Sequence, residues 1–323
     1  MALNYDYMTA TTREYFENVA VDNIYKSSSF LKTMLIDGRI KKYVRGGRKI
    51  VDPIKYAKMG ASGTYSDWDT FDVTPPDNIT AAEHTWGNYY ASVAISGDDE
   101  DQNMGDNMVI NLLNDRQQEA TQKMKDDLAV DLFEGGGGKA LVGIDTAIAA
   151  GTYGGIAGAS YSWWQSGSSS TARTRSQLID PTDTTNYINY LFQAADRSAL
   201  ALNEVPNLIV TTPLIWDIYE GTLQADARYP KTGRGQKIAD GGMDVIEWRS
   251  RPIIKDELCP AGYVYFLNTK FMTLYTHPNK YFKFTGFKVA TNQDGRVGQV
   301  LTKIQLGVNN RRMHYKYSGW PTS

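Results

Sequence analysis

The longest helical pattern in the chain lies between Asp106 and Glu134, and it constrains the fold more than any other feature. Apolar side chains recur along it mostly at steps of four residues, as on one face of a helix. Asp106 is a natural N-cap residue, and the glycine run Gly135–Gly138 ends the pattern. About 28 residues give a helix of roughly 42 Å, far above the usual mean of about 11–12 residues. The fold must therefore accommodate a long helical strut.

The segment before this helix alternates between apolar and polar residues on both sides of a polar stretch. Arg39–Met59 and His84–Ile95 alternate, and Gly60–Asn78 between them is rich in Gly, Ser, Asp and Pro. This arrangement predicts a long β-hairpin with an irregular tip. Because an isolated two-stranded hairpin is marginal in water, we expect it to lie on another part of this chain or on a neighbouring molecule.

The rest of the chain mixes helical and strand patterns, which predicts an α+β fold in one large domain or two packed ones. Helices are predicted at Thr11–Ile36, Thr182–Leu202 and Pro213–Leu223, the second with Asp180 or Thr182 as its N-cap. Lys139–Ser176 is predicted to be irregular. Short strands are predicted at Asn207–Thr211, Met243–Trp248, Pro252–Lys255, Tyr263–Asn268, Phe271–Tyr275, Tyr281–Phe287, Val300–Leu306 and Arg311–Tyr317.

Composition excludes several classes of protein. The 34 Lys and Arg residues nearly balance 36 Asp and Glu residues, so a dedicated polyanion binder is not expected. Cys259 is the single cysteine, which rules out an internal disulfide and a cysteine-based zinc cluster. No stretch approaches the roughly 18–20 apolar residues of a membrane span. Met1–Ala10 does not read as a secretory signal, so we expect a protein of a reducing compartment without membrane contact.

Three motifs that could carry chemistry are weak. Gly135–Ala140 has the letters of a dinucleotide-binding loop, but a helix precedes it where that loop requires a strand. Gly158–Ser162 begins like a nucleophile elbow and ends in Ser162 instead of glycine. The acidic run Asp98–Asp101 lacks the ligand spacing of a calcium loop. We therefore predict no catalytic residue, no cofactor and no metal site.

Arg39–Lys49 contains six basic residues and no acidic one. Nucleic-acid contact is one interpretation. The other is a solvated strand face, or a face that pairs with an acidic surface such as Asp98–Asp101. The near-neutral net charge of −2 favours the second interpretation.

The order of these elements resembles that of the major capsid proteins of tailed bacteriophages, which share the Hong Kong 97 fold. The resemblance covers almost the whole chain. It extends to the local pattern of residues in three segments, Lys49–Met59, Trp86–Asp99 and Ala140–Trp164. It implies an N-terminal arm (1–38), an E-loop hairpin (39–96), a first part of the P-domain (97–200) with its spine helix (106–134), an A-domain (201–270) and P-domain return strands (271–323).

The resemblance also implies a function and partners. The chain would be a non-enzymatic shell protein of the virion capsid, assembled from pentamers and hexamers in the bacterial host cytoplasm around double-stranded DNA. DNA contact would be non-specific, and a portal protein and a decoration protein would be further partners. Only some 38 residues precede the E-loop, so we expect a separate scaffolding protein. We do not expect E-loop crosslinking, because the tip has no Lys.

Three aromatic residues of the polar hairpin tip, Tyr65, Trp68 and Phe71, are expected to lie at the interface between subunits. Aromatic residues make up 12% of the chain, which suits extensive interfaces and also an ordinary β-rich core. Two rival functions remain open. One is the shell of an encapsulin-like cellular compartment or another virion structural protein. The other is a polysaccharide-active enzyme with aromatics that stack on sugars, although no spacing singles out a carboxylate pair.

Overall fold

The computed structural model describes residues 28–42, 47–58, 60, 62–71, 73–75, 77–102, 112–199, 204–223, 244–290 and 293–322. The helices are α1 (Ser29–Ile36), α2 (Gly97–Gln102), α3 (Leu112–Glu134), α4 (Ile144–Ala147), α5 (Arg175–Ile179), α6 (Ile188–Ser198) and α7 (Pro213–Gly221). The strands are β1 (Ile40–Lys42), β2 (Lys49–Lys55), β3 (Ile79–Thr85), β4 (Gly87–Ser96), β5 (Thr152–Tyr153), β6 (Ile156–Ala157), β7 (Gly167–Ser169), β8 (Leu208–Thr211), β9 (Val245–Trp248), β10 (Arg251–Lys255), β11 (Val264–Leu267), β12 (Met272–Thr276), β13 (Lys283–Phe284), β14 (Lys288–Val289), β15 (Gly295–Val308) and β16 (Tyr315–Tyr317). Helices and strands are interspersed, as an α+β fold requires.

The described strands form two larger sheets and two hairpins. One six-stranded sheet has the order β7-β16-β11-β8-β10-β9, with β8 and β10 parallel and β8 and β11 antiparallel. The other runs β1-β12-β15-β13, and β4 and β14 also pair with β15. β2 pairs with β3, and β5 pairs with β6. The long strand β15 thus pairs with four of the other strands of this sheet, β4, β12, β13 and β14.

The described residues divide into two compact units. The larger unit takes residues from 26–89, 126–281 and 302–323. Its main core lies where α5, α6 and α7 pack on the six-stranded sheet that contains β8, and the Phe192 ring contacts those of Phe266 and Trp248 there. The smaller unit takes residues from 90–125 and 282–301, and buries Val93, Ile95 and Met124.

The long helix ends where the sequence predicts. Gly135 has φ of +82°, a conformation that glycine adopts without steric cost, and its N–H donates to the Asp131 carbonyl at 2.7 Å. Leu128 is 4% exposed, which confirms its place on the buried stripe. The predicted start of this helix at Asp106 lies outside the described residues. Residues 11–27 of the first predicted helix also lie outside them.

Three predictions about element boundaries are wrong. The first arm of the predicted hairpin, Arg39–Met59, is divided, because β1 pairs with β12 in the six-stranded sheet that contains β15 and only β2 belongs to the hairpin. The return strand of the hairpin is β3, and most of the predicted strand His84–Ile95 belongs to β4 in another sheet. The helix predicted from Thr182 begins at Ile188. Residues 180–187 instead form turns, because the carboxylates of Asp180 and Asp183 accept hydrogen bonds from backbone N–H groups two and three residues later.

The irregular stretch after the long helix is organised around one buried cation. The Arg311 guanidinium is fully buried and donates to the backbone carbonyls of Thr146, Ala147, Ala149, Gly151 and Trp164. Its carbon lies 5.4 Å from the centre of the Tyr153 ring. Burial lowers the Arg311 pKa to about 10, so the group stays charged at neutral pH. A segment with little regular structure is thereby held in one conformation.

Candidate assembly interface

The β2–β3 hairpin has one buried face and one exposed face. The two strands pair from Lys49↔Thr85 to Lys55↔Ile79, and β2 alternates strictly between exposed and buried residues. Ile50 and Ile54 are buried on the inner face. The alternation therefore fixes the register of the hairpin against its own chain, because a one-residue slip would expose that face.

The loop between β5 and β6 lies directly beneath the hairpin. The Glu83 N–H donates to the Gly154 carbonyl at 2.9 Å. Gly154 has φ of +60°, and a Cβ atom there would lie 2.8 Å from the Ala82 Cβ. Glycine is thus required at this position for both conformation and space, and its presence lets the two segments approach closely.

Polar groups are buried between the hairpin and the sheet below it. The Tyr275 hydroxyl donates to Asp52 Oδ1 at 2.8 Å. His84 Nε2 lies 3.8 Å from Asp52 Oδ2, and the His84 ring lies 4.9 Å from the Tyr153 ring. Burial lowers the His84 pKa to about 4, so the imidazole is neutral at pH 7. These contacts fasten the base of the hairpin.

The neck of the hairpin is closed by Tyr56. Its N–H donates to the Asn78 carbonyl and its hydroxyl to the Asp77 carbonyl, which joins the two sides of the tip. Its ring stacks on Trp163, with the ring centres 5.2 Å apart. The base and neck are therefore fixed to the chain, and the described residues beyond the neck form no helix or strand.

The predicted interface residues lie in that tip and are exposed. Trp68 is 97% exposed, Tyr65 71% and Phe71 69%. Tyr65 and Phe71 contact each other edge to face at 5.3 Å, and Val73 is exposed beside them in sequence. Large exposed apolar groups clustered in this way mark interaction surfaces. The three aromatic side chains are thus accessible on the described chain, and their interface role stays a prediction.

A basic groove lies at the base of the hairpin. It has a volume of about 560 Å³ and is lined by Gly47, Arg48, Lys49, Thr85, Trp86, Asn88, His277 and Lys303. Lys49 pairs across the strands with Glu83 at 2.5 Å. Burial lowers the pKa of His277, and the neighbouring Lys303 and Lys280 lower it further. The groove is thus an environment that favours anions.

Sequence reasoning missed the buried polar cluster and most of this groove. Asp52 and His84 could have been found, because the alternation of β2 and β3 places them on the same face as Ile50 and Ala82. The groove had a partial signal in the basic run Arg39–Lys49. Its other wall comes from residues more than 180 positions away, which no local pattern connects.

The described residues contain neither a candidate membrane-spanning helix nor a candidate metal-binding cluster. None of their helices is both long and apolar enough to cross a membrane. Within the same residues, no group of three or more His, Cys, Asp or Glu side chains could hold a metal ion.

The sequence matches no protein-family model and no curated protein. Solved structures are similar along nearly the whole chain. The capsid asymmetric unit of cyanophage A-1(L) is 15% identical with a TM-score of 0.67, over 97% of this chain and 98% of that chain. The capsid of Myoviridae phage XM1 is 11% identical with a TM-score of 0.59, over 95% and 96%. The holo-SrpI encapsulin complex of Synechococcus elongatus PCC 7942 is 11% identical with a TM-score of 0.58, over 100% and 98%.

At these identities the likeness concerns the fold. The matches leave almost no part of either chain unaligned, so they concern the whole architecture and not one shared motif. The chain therefore has the Hong Kong 97-type fold of phage capsid subunits.

Proposed function

We propose that the chain is the major capsid protein of a tailed bacteriophage. Copies of it would assemble through pentamers and hexamers into an icosahedral shell that encloses double-stranded DNA. The observation that carries the proposal is the fold shared with phage capsid subunits over 95% or more of the chain. A structural role also fits the neighbours, which are shell subunits, and we propose no enzymatic activity.

The hairpin supplies the physical reason for assembly. Its base is fastened to the chain, whereas Tyr65, Trp68 and Phe71 expose apolar surface at the tip. Burying a large aromatic side chain against a neighbour is favourable by roughly 1.5–3 kcal/mol each. We propose that the tip lies on an adjacent subunit and that this burial helps to drive shell formation.

The test is assembly of the purified full chain and of a tip variant that carries Tyr65→Ser, Trp68→Ser and Phe71→Ser. The wild-type chain should sediment as a megadalton particle and appear as closed shells in negative stain. The tip variant should remain a folded small species, because exposed side chains contribute little to the stability of the monomer.

Tyr190→Ser, at a half-exposed aromatic position on α6, is the matched control and should assemble normally. Normal shells from the tip variant would contradict the interface role. Failure of the wild-type chain to form any shell, alone or together with the proposed scaffolding protein and with its folding intact, would contradict the capsid function.

The encapsulin match supports a second candidate, the shell of a cellular compartment. The contents of the particle distinguish the two. A phage head purified from infected cells should protect a long double-stranded DNA from nuclease, whereas a compartment should contain protein cargo.

The finer assignments are also proposals. The arm, E-loop, P-domain and A-domain would follow the ranges given by the resemblance. The six-stranded sheet that contains β8 takes β7 and β16 from outside the range 201–270. A separate scaffolding protein, a portal protein and a decoration protein are the proposed partners, with assembly in the host cytoplasm.

A further inference from the structure

We propose that the basic groove at the base of the hairpin binds the acidic helix α2 of a second copy of the chain. This inference rests on the proposed shell-forming function and names one of its contacts. It concerns residues separate from the aromatic tip, so each contact can be tested without the other.

The lining of the groove contains basic side chains and no acidic one. Arg48 and Lys303 both line it, and within the described part of the chain neither forms an ion pair. Lys49 retains half of its side-chain exposure although it pairs with Glu83. The Trp86 and His277 rings also line the groove and meet edge to face, with their centres 5.5 Å apart, which adds aromatic surface to the lining. Such a site suits a short polar segment with several negative charges.

Helix α2 has the complementary character. Its sequence is G-D-D-E-D-Q, with four consecutive acidic residues, and Asp98, Asp99 and Asp101 are exposed. No Lys or Arg among the described residues lies within ion-pair distance of these three carboxylates. The acidic run is therefore available to a partner.

Stoichiometry and symmetry favour a second copy over other anions. Each copy carries one groove and one acidic helix, so every contact in a ring of copies can be made by the same pair of patches. Two different patches that meet head to tail generate closed rings, which pentamers and hexamers require. Neighbours in a shell also hold the acidic helix at high effective concentration, whereas a free anion must bind from solution.

The first experiment measures binding of a fluorescent peptide with the sequence of residues 95–104 to the unassembled full chain by anisotropy. The groove variant carries Arg48→Glu and Lys303→Glu, and the matched control carries the same charge change at the exposed positions Lys283 and Lys288. The peptide should bind the wild type and the control equally, and the groove variant at least about tenfold more weakly. Added salt should weaken binding.

Three results would overturn the proposal. The first is equal binding of a peptide in which Asn and Gln replace the acidic residues. The second is undiminished binding by the groove variant. The third is displacement of the peptide by inorganic phosphate or duplex DNA at a lower concentration than unlabelled peptide, which would make the groove a phosphate site instead.

A mixing experiment then tests whether the contact joins two copies. The helix variant carries Asp98→Lys and Asp101→Lys, one turn apart on α2. The groove variant and the helix variant should each lose shell yield. A mixture should regain part of it, because alternating copies match each groove with a helix of opposite charge at every contact of a hexamer and at all but one contact of a pentamer. Loss of yield without recovery on mixing would overturn a contact between copies. If the wild type forms no shells even with the proposed scaffolding protein, the capsid function fails and the peptide titration still decides the groove.

Discussion

Two buried histidines show how single residues make the stability of this chain depend on pH. Burial lowers the pKa of His84 to about 4, and burial with the nearby Arg311 lowers that of His314 to about 3. His314 Nδ1 accepts a hydrogen bond from the Asn268 N–H, which requires a neutral nitrogen. Both folded-state pKa values lie below the ordinary value near 6.5, so the unfolded chain binds more protons as pH falls. Stability should therefore decline from about pH 6.5 downwards.

The variant His84→Gln tests this at one residue. Between pH 7 and pH 5, the free energy of unfolding of the wild type should fall by about 2 kcal/mol more than that of the variant. The nearby Asp52 carboxylate can offset part of this loss by attracting the protonated imidazole. Urea denaturation at the two pH values measures it, with Glu83→Gln on the exposed face of β3 as the control. Identical pH slopes for wild type and variant would refute the role of His84.

Among the elements, α3 offers a test with two neighbouring positions on one helix. Leu128 is 4% exposed and Val130 is 40% exposed. Leu128→Ala should lower the free energy of unfolding by about 2–5 kcal/mol, because it removes a transfer term and leaves a cavity. Val130→Ala should cost less than about 1 kcal/mol. Thermal or urea unfolding compares the two, and equal effects would contradict the burial of this stripe.

The elements also show what local patterns could and could not predict. The helix end at Gly135 and the start of α7 at Pro213 follow from local chemistry and were predicted. The break between β3 and β4 was not, because period-two alternation does not say which sheet a strand joins. β4 begins at Gly87, where a Cβ would lie 2.7 Å from the Leu141 nitrogen and 2.8 Å from the Ile304 carbonyl oxygen. Both contacts are distant in sequence and invisible to a local pattern.

Local sequence patterns likewise predicted only part of the candidate interface. The aromatic tip was predicted because a polar segment cannot build a core around Tyr65, Trp68 and Phe71, which is a compositional argument. The groove was only half visible, since Lys303 and His277 approach it through pairing of β12 with β15. Sequence alone therefore pointed to the aromatic residues of the tip, which are exposed, and not to the groove that residues distant in sequence form together.

For the whole molecule, near-neutral charge predicts weak contact with a packaged genome. Net charge is −2, so few phosphates can be neutralised at once. Unassembled subunits should bind duplex DNA with a Kd of about 10⁻⁴–10⁻⁶ M at physiological salt, and binding should weaken further as salt rises. Gel-shift titration over several DNA sequences measures this. A sequence-selective nanomolar complex would contradict the capsid proposal and favour a nucleic-acid-binding protein.

The carbonyl cage around Arg311 has a consequence for biosynthesis. The carbonyls belong to residues 146–164, and the guanidinium that satisfies them is translated about 150 residues later. β7 likewise waits for β16, its parallel partner. On the ribosome, the glycine-rich segment thus emerges without its organising cation and stays unfinished until residues 311–317 leave the exit tunnel. Nascent subunits would then reach their final shape only when translation is almost complete. Until that point they would be unable to join one another.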